Sequence, residues 1–575
     1  MTSSLRAVAC VLALAFAASA AHAQQTREEE PHQDAPAAAV VPDETLPPNE
    51  LSPEVLYGFL IAEIALQRGS EGLAAQTMVD LARKTRDPRL ARRAVEVANN
   101  ARIPGLALEA ARAWYDGSPQ SQQALQALTV LLIGARKVGE AEPYLEKLLS
   151  RDGAAAASGF MQLARLLAGN PDKGENLKVV ERIARKYPDM SQARFAVAQA
   201  ALAAGEEDLA LSEIRRASAV RPDWELAALF EAQILQRSRP DAATSRLEAF
   251  LKQFPQSREV RLNYARALVG ERKYPQARGE FERLVGANPA NAELLHAVAL
   301  LAVQTKDYGL AEGYLKSALG AGYRDPNAAR YALGQIAEET KEFGKARDWY
   351  QGVGRGEHFV PSRMRYAQTL SKEGRLEEAR NYLRAQEAAD ERRHQFVIAE
   401  AQLLRDAGKS ADAYEVLGQA LAKSPEEPDL LYDHALTAEK LDRFDVLEAN
   451  LRKLIQMQPR HAHAYNALGY SLADRNQRLD EARKLIEKAL ELSPEDHAIV
   501  DSMGWVLFRM GDTKGALEYL RRAFRGRPDG EIGAHRGEVL WTSGEREEAE
   551  RIWSETLKNH PNDDILQKTI RRLKK

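Results

Sequence analysis

The sequence predicts an all-α solenoid, a row of about fifteen helix hairpins closed by one capping helix at the carboxyl end. Three observations carry that prediction. The chain has 575 residues, 45% of them apolar and 28% charged, which is too long for one compact core and too apolar for wholesale disorder. Prolines recur at positions 188, 222, 255 and 289, at 326 and 361, and at 425, 459, 494, 528 and 561, the last series in steps of 34, 35, 34 and 33 residues. Alanine recurs with the same period at one place in each unit. A period of that size fits two antiparallel helices and their turns, and proline suits the boundary because it cannot continue a helix.

Taken from the amino end, residues 1–23 read as a cleaved export signal. Arg6 supplies a positive start, Ala7 to Ala20 an apolar run too short for a comfortable membrane span, and Ala21-His22-Ala23 the small residues of a cleavage site. The single cysteine, Cys10, stands near the beginning of the apolar run, whereas an acylated cysteine would stand at its end. The sequence therefore argues against a lipid anchor, unless translation starts elsewhere. Without residues 1–23 the chain has no thiol and no disulfide, which suits a Gram-negative periplasm. The formal charge of −3, from 80 basic and 83 acidic side chains, becomes −4 on losing Arg6. Nothing in that balance provides the concentrated basic surface that nucleic acid requires.

Residues 24–50 carry Pro31, Pro36, Pro42, Pro47 and Pro48, several acids and no helical apolar stripe, and read as a disordered acidic tether. The repeats begin at Leu51 and read as two stretches, 51–324 and 325–561. Within the stretch Ala498–Pro528, Met503-Gly504 belongs to a first helix, Ala516 and Ala523 to a second, and Pro528 closes the unit. Gly537, Ala549 and Pro561 repeat the pattern, and Leu468-Gly469, Ala482, Ala489 and Pro494 precede it with one extra residue near Asp474 to Arg478. Small residues at these places let neighbouring helices approach closely, while Tyr465, Leu472 and Ile486 fill the space between them. The alanine of the second helix can be followed through Ala74, Ala107, Ala141, Ala210, Ala243, Ala277, Ala311, Ala346, Ala379, Ala413, Ala482, Ala516 and Ala549, with breaks near Asn176 and Leu447. Residues 562–575 read as a capping helix with Ile565, Leu566 and Ile570 on one side, shielding the last apolar face.

Catalytic constellations do not emerge from this pattern. The repeats leave no room for a separate catalytic domain, and no Gly-rich phosphate loop or GxSxG elbow is present. His461 and His463 are two apart on a helix and point to different faces, so they read as a polar helix start, not a metal site. Glu377-Glu378 and Glu547-Glu548 fall where helix N-termini favour negative charge, and Arg521, Arg522, Arg525 and Arg527 fall at a helix end, where cations are favoured. The expectation is no enzyme, no cofactor and no bound metal.

The spacing of small residues and prolines resembles that of the tetratricopeptide-repeat family over nearly everything after Leu51. That resemblance implies a right-handed superhelix whose first helices line a concave face where extended peptides or helices bind. Placing each unit's glycine eighth puts residues two, five, nine, twelve and thirteen on that face. In the C-terminal units this selects His463, Asn466, Tyr470 and Asp474, then Asp501, Trp505, Phe508 and Arg509, then Glu538 and Trp541. Aromatic rings beside an amide, carboxylates and a guanidinium suit a peptide-binding groove. In the middle of the array that face has fewer rings, Tyr331 and Tyr432 among them.

The stretch from His461 to Phe524 and the opening array from Leu56 to Pro88 are similar to one branch of periplasmic repeat proteins, the adaptors that partner a carboxyl-terminal processing protease (LbcA-type). This resemblance implies an adaptor that binds the protease, whose own Ser and Lys do the chemistry, and holds cell-wall hydrolases for degradation, so controlling peptidoglycan cleavage. The alternative function is a structural scaffold of an outer-membrane export or assembly machine for polysaccharide, pili or secreted protein, although the fused barrel or lipid anchor common in such scaffolds is not evident in the sequence. A lytic enzyme with a helical superhelix is the third reading, and it lacks space for its catalytic domain.

Overall fold

The computed structural model describes residues 52–150, 153–387 and 393–574. The export signal with Cys10 and the acidic tether lie outside the described residues. All secondary structure among the described residues is helical: thirty-one α-helices, numbered here α1 to α31 from Pro53–Gln67 to Asp564–Leu573, and one 3-10 turn at Leu167–Gly169. The helices form two compact units that part between Ala321 and Gly322. The first holds sixteen helices in eight hairpins, and the second holds fifteen, seven hairpins followed by a single closing helix.

The same local signals recur through the hairpins. Ser52, Asp87, Ser121, Asn291, Asp325, Asp496 and Asp529 each stand before a first helix and accept a backbone N–H of its opening turn. Such a cap is worth about 1 kcal/mol. In most hairpins the chain turns through a residue in the left-handed region, glycine at Gly205 (φ 86°) and Gly511 (φ 91°) but a long basic residue at Arg272 (φ 60°) and Lys341 (φ 61°); the turns at Asn170 and Arg239 do without one.

The packing rests on small residues. All thirteen alanines followed through the sequence occupy the fourth position of a second helix, and none is more than 1% exposed. The two breaks occupy the same position. Leu447 is fully buried there, and Asn176 is buried with its amide bonded to Asn170 (2.8 Å) and to the Leu167 carbonyl (3.1 Å). The 3-10 turn thus satisfies a polar side chain where other units bury a methyl group. Glycines of the first helices serve the same close approach. A Cβ on Gly504 would meet Leu520 Cγ at 2.6 Å and the Ala516 carbonyl at 3.1 Å, and one on Gly469 would meet Ile486 Cγ1 at 2.7 Å.

The last seven helices position the candidate site: α25 Ala462–Asp474, α26 Leu479–Leu492, α27 His497–Arg509, α28 Thr513–Gly526, α29 Gly530–Thr542, α30 Arg546–Asn559 and α31 Asp564–Leu573. In α31, Leu566 is fully buried, Ile570 is half-buried, and Ile565 stands 45% exposed. Ile565 therefore does not join the apolar side expected of the cap, because adjacent residues of a helix point about 100° apart.

Candidate functional site in the C-terminal repeats

Three first helices, α25, α27 and α29, bring most of the selected residues to one face of the second unit. Asp501, Trp505 and Glu538 are buried, at 4%, 4% and 6% exposure, while Asn466, Tyr470, Phe508, Arg509 and Trp541 are half-buried. At their centre stands a residue that the sequence reading did not select, His535 of α29. Its Nδ1 lies 2.7 Å from Asp501 Oδ2, its Nε2 lies 3.3 Å from the Tyr470 hydroxyl, and the Trp505 ring stacks on it at 4.3 Å. Tyr470 in turn donates to Glu531 Oε1 at 3.0 Å.

These contacts make one directed chain. A charged His535 donates from Nδ1 to Asp501 and from Nε2 to the Tyr470 oxygen, which leaves the Tyr470 proton for Glu531. Burial opposes the charge on His535, but the Asp501 carboxylate outweighs it, with smaller help from Glu531 and Glu538, and raises the pKa to about 9. Burial also pushes the Tyr470 phenol well above its ordinary range, and it raises Glu531 against the pull of His535. Tyr470 and Glu531 are 61 residues apart, on α25 and α29. The bond therefore joins the two first helices that flank α27, the helix that bears the buried Asp501 and Trp505.

On the same helices, polar groups are left over. Among the described residues, Asp501 Oδ1, Asn466 Oδ1 and the Trp505 indole N–H are buried and have no hydrogen-bond partner. A buried polar group left unmet costs about 1–3 kcal/mol, so two acceptors and a donor on one face are poised for an incoming donor–acceptor pair.

The remaining selected residues border this centre. Phe508 packs against Trp505 at 5.5 Å, and Arg509 lies over the same ring at 5.8 Å while donating to the Asp474 carbonyl at 3.2 Å. Glu538 accepts from Arg572 of α31 at 2.5 Å, and Trp541 packs on Trp553 at 5.5 Å. Glu538 thus helps to seat the closing helix, while Trp541 packs within its own hairpin against α30. Glu531 occupies position two of its unit, the place that selected His463, and the same rule reaches it. His535 occupies position six, outside the rule, and only its neighbours on two other helices reveal its role.

The other sequence candidates find local partners. His461 caps α25 by accepting from the Ala464 N–H at 3.1 Å, and its ring stands at 76° to that of His463 with centroids 6.4 Å apart. Glu377 and Glu547 open second helices, as do Glu378 and Glu548. Tyr331 stacks on His358 at 5.1 Å, and Tyr432 lies against His461 at 5.5 Å. His394, Glu427 and Asp429 come within 4.8 Å of one another, a grouping that the sequence reading did not single out; His394 Nε2 and Glu427 face each other at 3.8 Å. The first unit contains a cleft of about 490 Å³ lined by Gln122, Gln126, Gln162, Leu145 and Leu163 among others, and none of its lining residues is charged.

Comparison with known proteins agrees with this architecture. Models of the tetratricopeptide repeat match residues 235–301, 296–356, 398–446 and 432–497. The chain is 33% identical over 523 residues to a TPR repeat-containing protein of Pseudomonas aeruginosa, covering 91% of this chain and 88% of that protein. Among solved structures it is similar to a thermophilic TPR protein of Thermus thermophilus, at 23% identity and a TM-score of 0.29 over 31% of this chain and 97% of that one. A tetratricopeptide repeat protein from Parabacteroides merdae is similar at 17% identity and a TM-score of 0.32, over 49% of this chain and 99% of that one.

Proposed function

The chain belongs to the tetratricopeptide-repeat family, and from that premise we propose that it is a periplasmic protein-binding adaptor that delivers cell-wall hydrolases to a carboxyl-terminal processing protease. Repeats of this kind hold other proteins; the finer assignment rests on the resemblance of residues 461–524 and of the opening array. The observation that carries a binding role for the C-terminal face is the set of unmet groups on α25 and α27. Asp501 Oδ1 and Asn466 Oδ1 can accept backbone N–H groups of an extended segment, and the Trp505 indole can donate to a carbonyl. Phe508 and Trp541 offer apolar anchoring at the border of the face.

In this reading a partner displaces the Tyr470–Glu531 contact as it takes up those groups, so binding and release of that contact are one event. Part of the binding free energy is spent on that release. Tyr470→Phe removes the proton donated to Glu531 while keeping the ring. We expect it to tighten partner binding severalfold, whereas Asn466→Ala with Arg509→Ala weakens it at least tenfold with helical content unchanged. The measurement is pull-down of the mature protein from periplasmic extract, followed by titration of the partner recovered. A processing protease together with a hydrolase is the expected catch. Recovery of export-machine components alone would replace the adaptor with the scaffold reading, and binding indifferent to all three substitutions would move the site elsewhere.

A further inference from the structure

The basic residues at the end of α28 form part of a larger cluster. Arg536 of α29 reaches toward α28, where its guanidinium lies over the Phe524 ring at 5.3 Å, and it donates to Glu548 of α30 at 3.0 Å. Arg551, one turn further along α30, shares the same Glu548 carboxylate at 3.6 Å. Arg521 and Arg525 stand one turn apart on α28 beside Phe524, both exposed. Two cations on one acid is common in this chain, as with Arg215 and Arg246 on Glu231 or Arg380 and Arg384 on Glu400. This corner differs because Arg521 and Arg525 add two more guanidinium groups that have no ion pair among the described residues. Their neighbours Arg522 and Arg527, by contrast, are committed to Glu495 and Asp529.

Arg536 and Arg551 thus share one carboxylate, Arg521 stands close enough to Arg536 to act on its charge, and Arg525 follows one turn after Arg521 on the same helix. Glu518, Glu547 and Glu555, a turn away on the same helices, make no ion pair with any of the four. Arg536 registers the crowding: burial lowers its pKa against the pull of Glu548, and Arg521 and Arg551 lower it further.

We propose that Arg521, Arg525, Arg536 and Arg551 form a binding site for a phosphate group, separate from the face bearing Tyr470 and Asp501. All four are arginine, whose planar fork matches phosphate oxygens two at a time, and a tetrahedral anion offers acceptors to several forks at once. Arg536 is held in place by Phe524 and Glu548, with its side chain only 12% exposed, while Arg551, 71% exposed at the rim of the same carboxylate, and the two exposed α28 arginines can turn toward the anion. A phosphate supplied by a lipid headgroup would bring this end of the repeats to an anionic membrane surface, and a soluble phosphate ester would occupy the same forks.

The test compares the full mature chain with Arg521→Ser/Arg525→Ser, both exposed positions, and with Arg83→Ser/Arg92→Ser as a variant that loses the same charge elsewhere. Each is floated with phosphatidylcholine vesicles with and without phosphatidylglycerol, and each is titrated with glycerol phosphate. We expect binding to the anionic vesicles to fall about thirtyfold in the first variant and to hold in the second. Vesicle binding without glycerol phosphate binding identifies the lipid source, and binding of glycerol phosphate identifies the soluble one. No binding in either assay overturns the site, as does equal loss in both variants. Loss of helical content in the first variant would be resolved with Arg551→Ser, expected to weaken binding without touching α28.

Discussion

His535 is charged although burial favours its neutral form, because Asp501 lies 2.7 Å away and the Tyr470 oxygen accepts its second proton. Its folded pKa of about 9 stands above its ordinary 6.5, so the stabilisation is fully present below about pH 6.5 and is lost as pH climbs through 9. A shift of that size corresponds to about 3 kcal/mol. Thermal melts of the chain across this range should show the C-terminal repeats weakening with rising pH, and His535→Gln should melt lower at pH 6 and lack the slope. A variant that keeps the wild-type slope would mean that another group titrates there. Most residues of this centre were selected by a positional rule, yet the rule passes over His535. Its importance depends on side chains 34 and 65 residues away, and no local spacing encodes those contacts.

Within a hairpin, stability depends on how closely two helices can pack. Gly504 lies against Leu520 and the Ala516 carbonyl so tightly that a methyl group would fall at 2.6 Å from Leu520 Cγ. Gly504→Ala should therefore cost about 1–3 kcal/mol through overpacking, even though alanine is the better helix former. Urea unfolding followed through the C-terminal tryptophans measures it, and a neutral or stabilising result would mean that the helices have room to part. The alanine rule was legible because small size is a property of the residue itself; it holds at thirteen second helices, and at the two breaks Asn176 and Leu447 fill the same buried place with a different side chain. The left-handed turn residues were less legible. Arg272 and Lys341 carry no turn signature, and the geometry of the hairpin imposes their φ values.

Across the whole molecule, a repeat array is stabilised by nearest neighbours, so damage at one end should stay there. Removing residues 564–575 exposes the surface that Leu566 covers and frees Glu538 from Arg572. Hydrogen exchange should then accelerate in α29 and α30 and remain unchanged in the hairpins before Ala321; acceleration throughout would show that the chain unfolds as one cooperative body. The sequence by itself determined the helical class, the period, the closing helix and the residues that pack each hairpin, because those follow from side-chain size and spacing along one strand of chain. Which of the face residues are covered, that Tyr470 bridges α25 to α29, and that Arg536 draws α28 and α30 into one basic cluster were decided by tertiary structure alone. Those contacts join helices from different repeats, and their energies depend on distances that no periodicity in the sequence records.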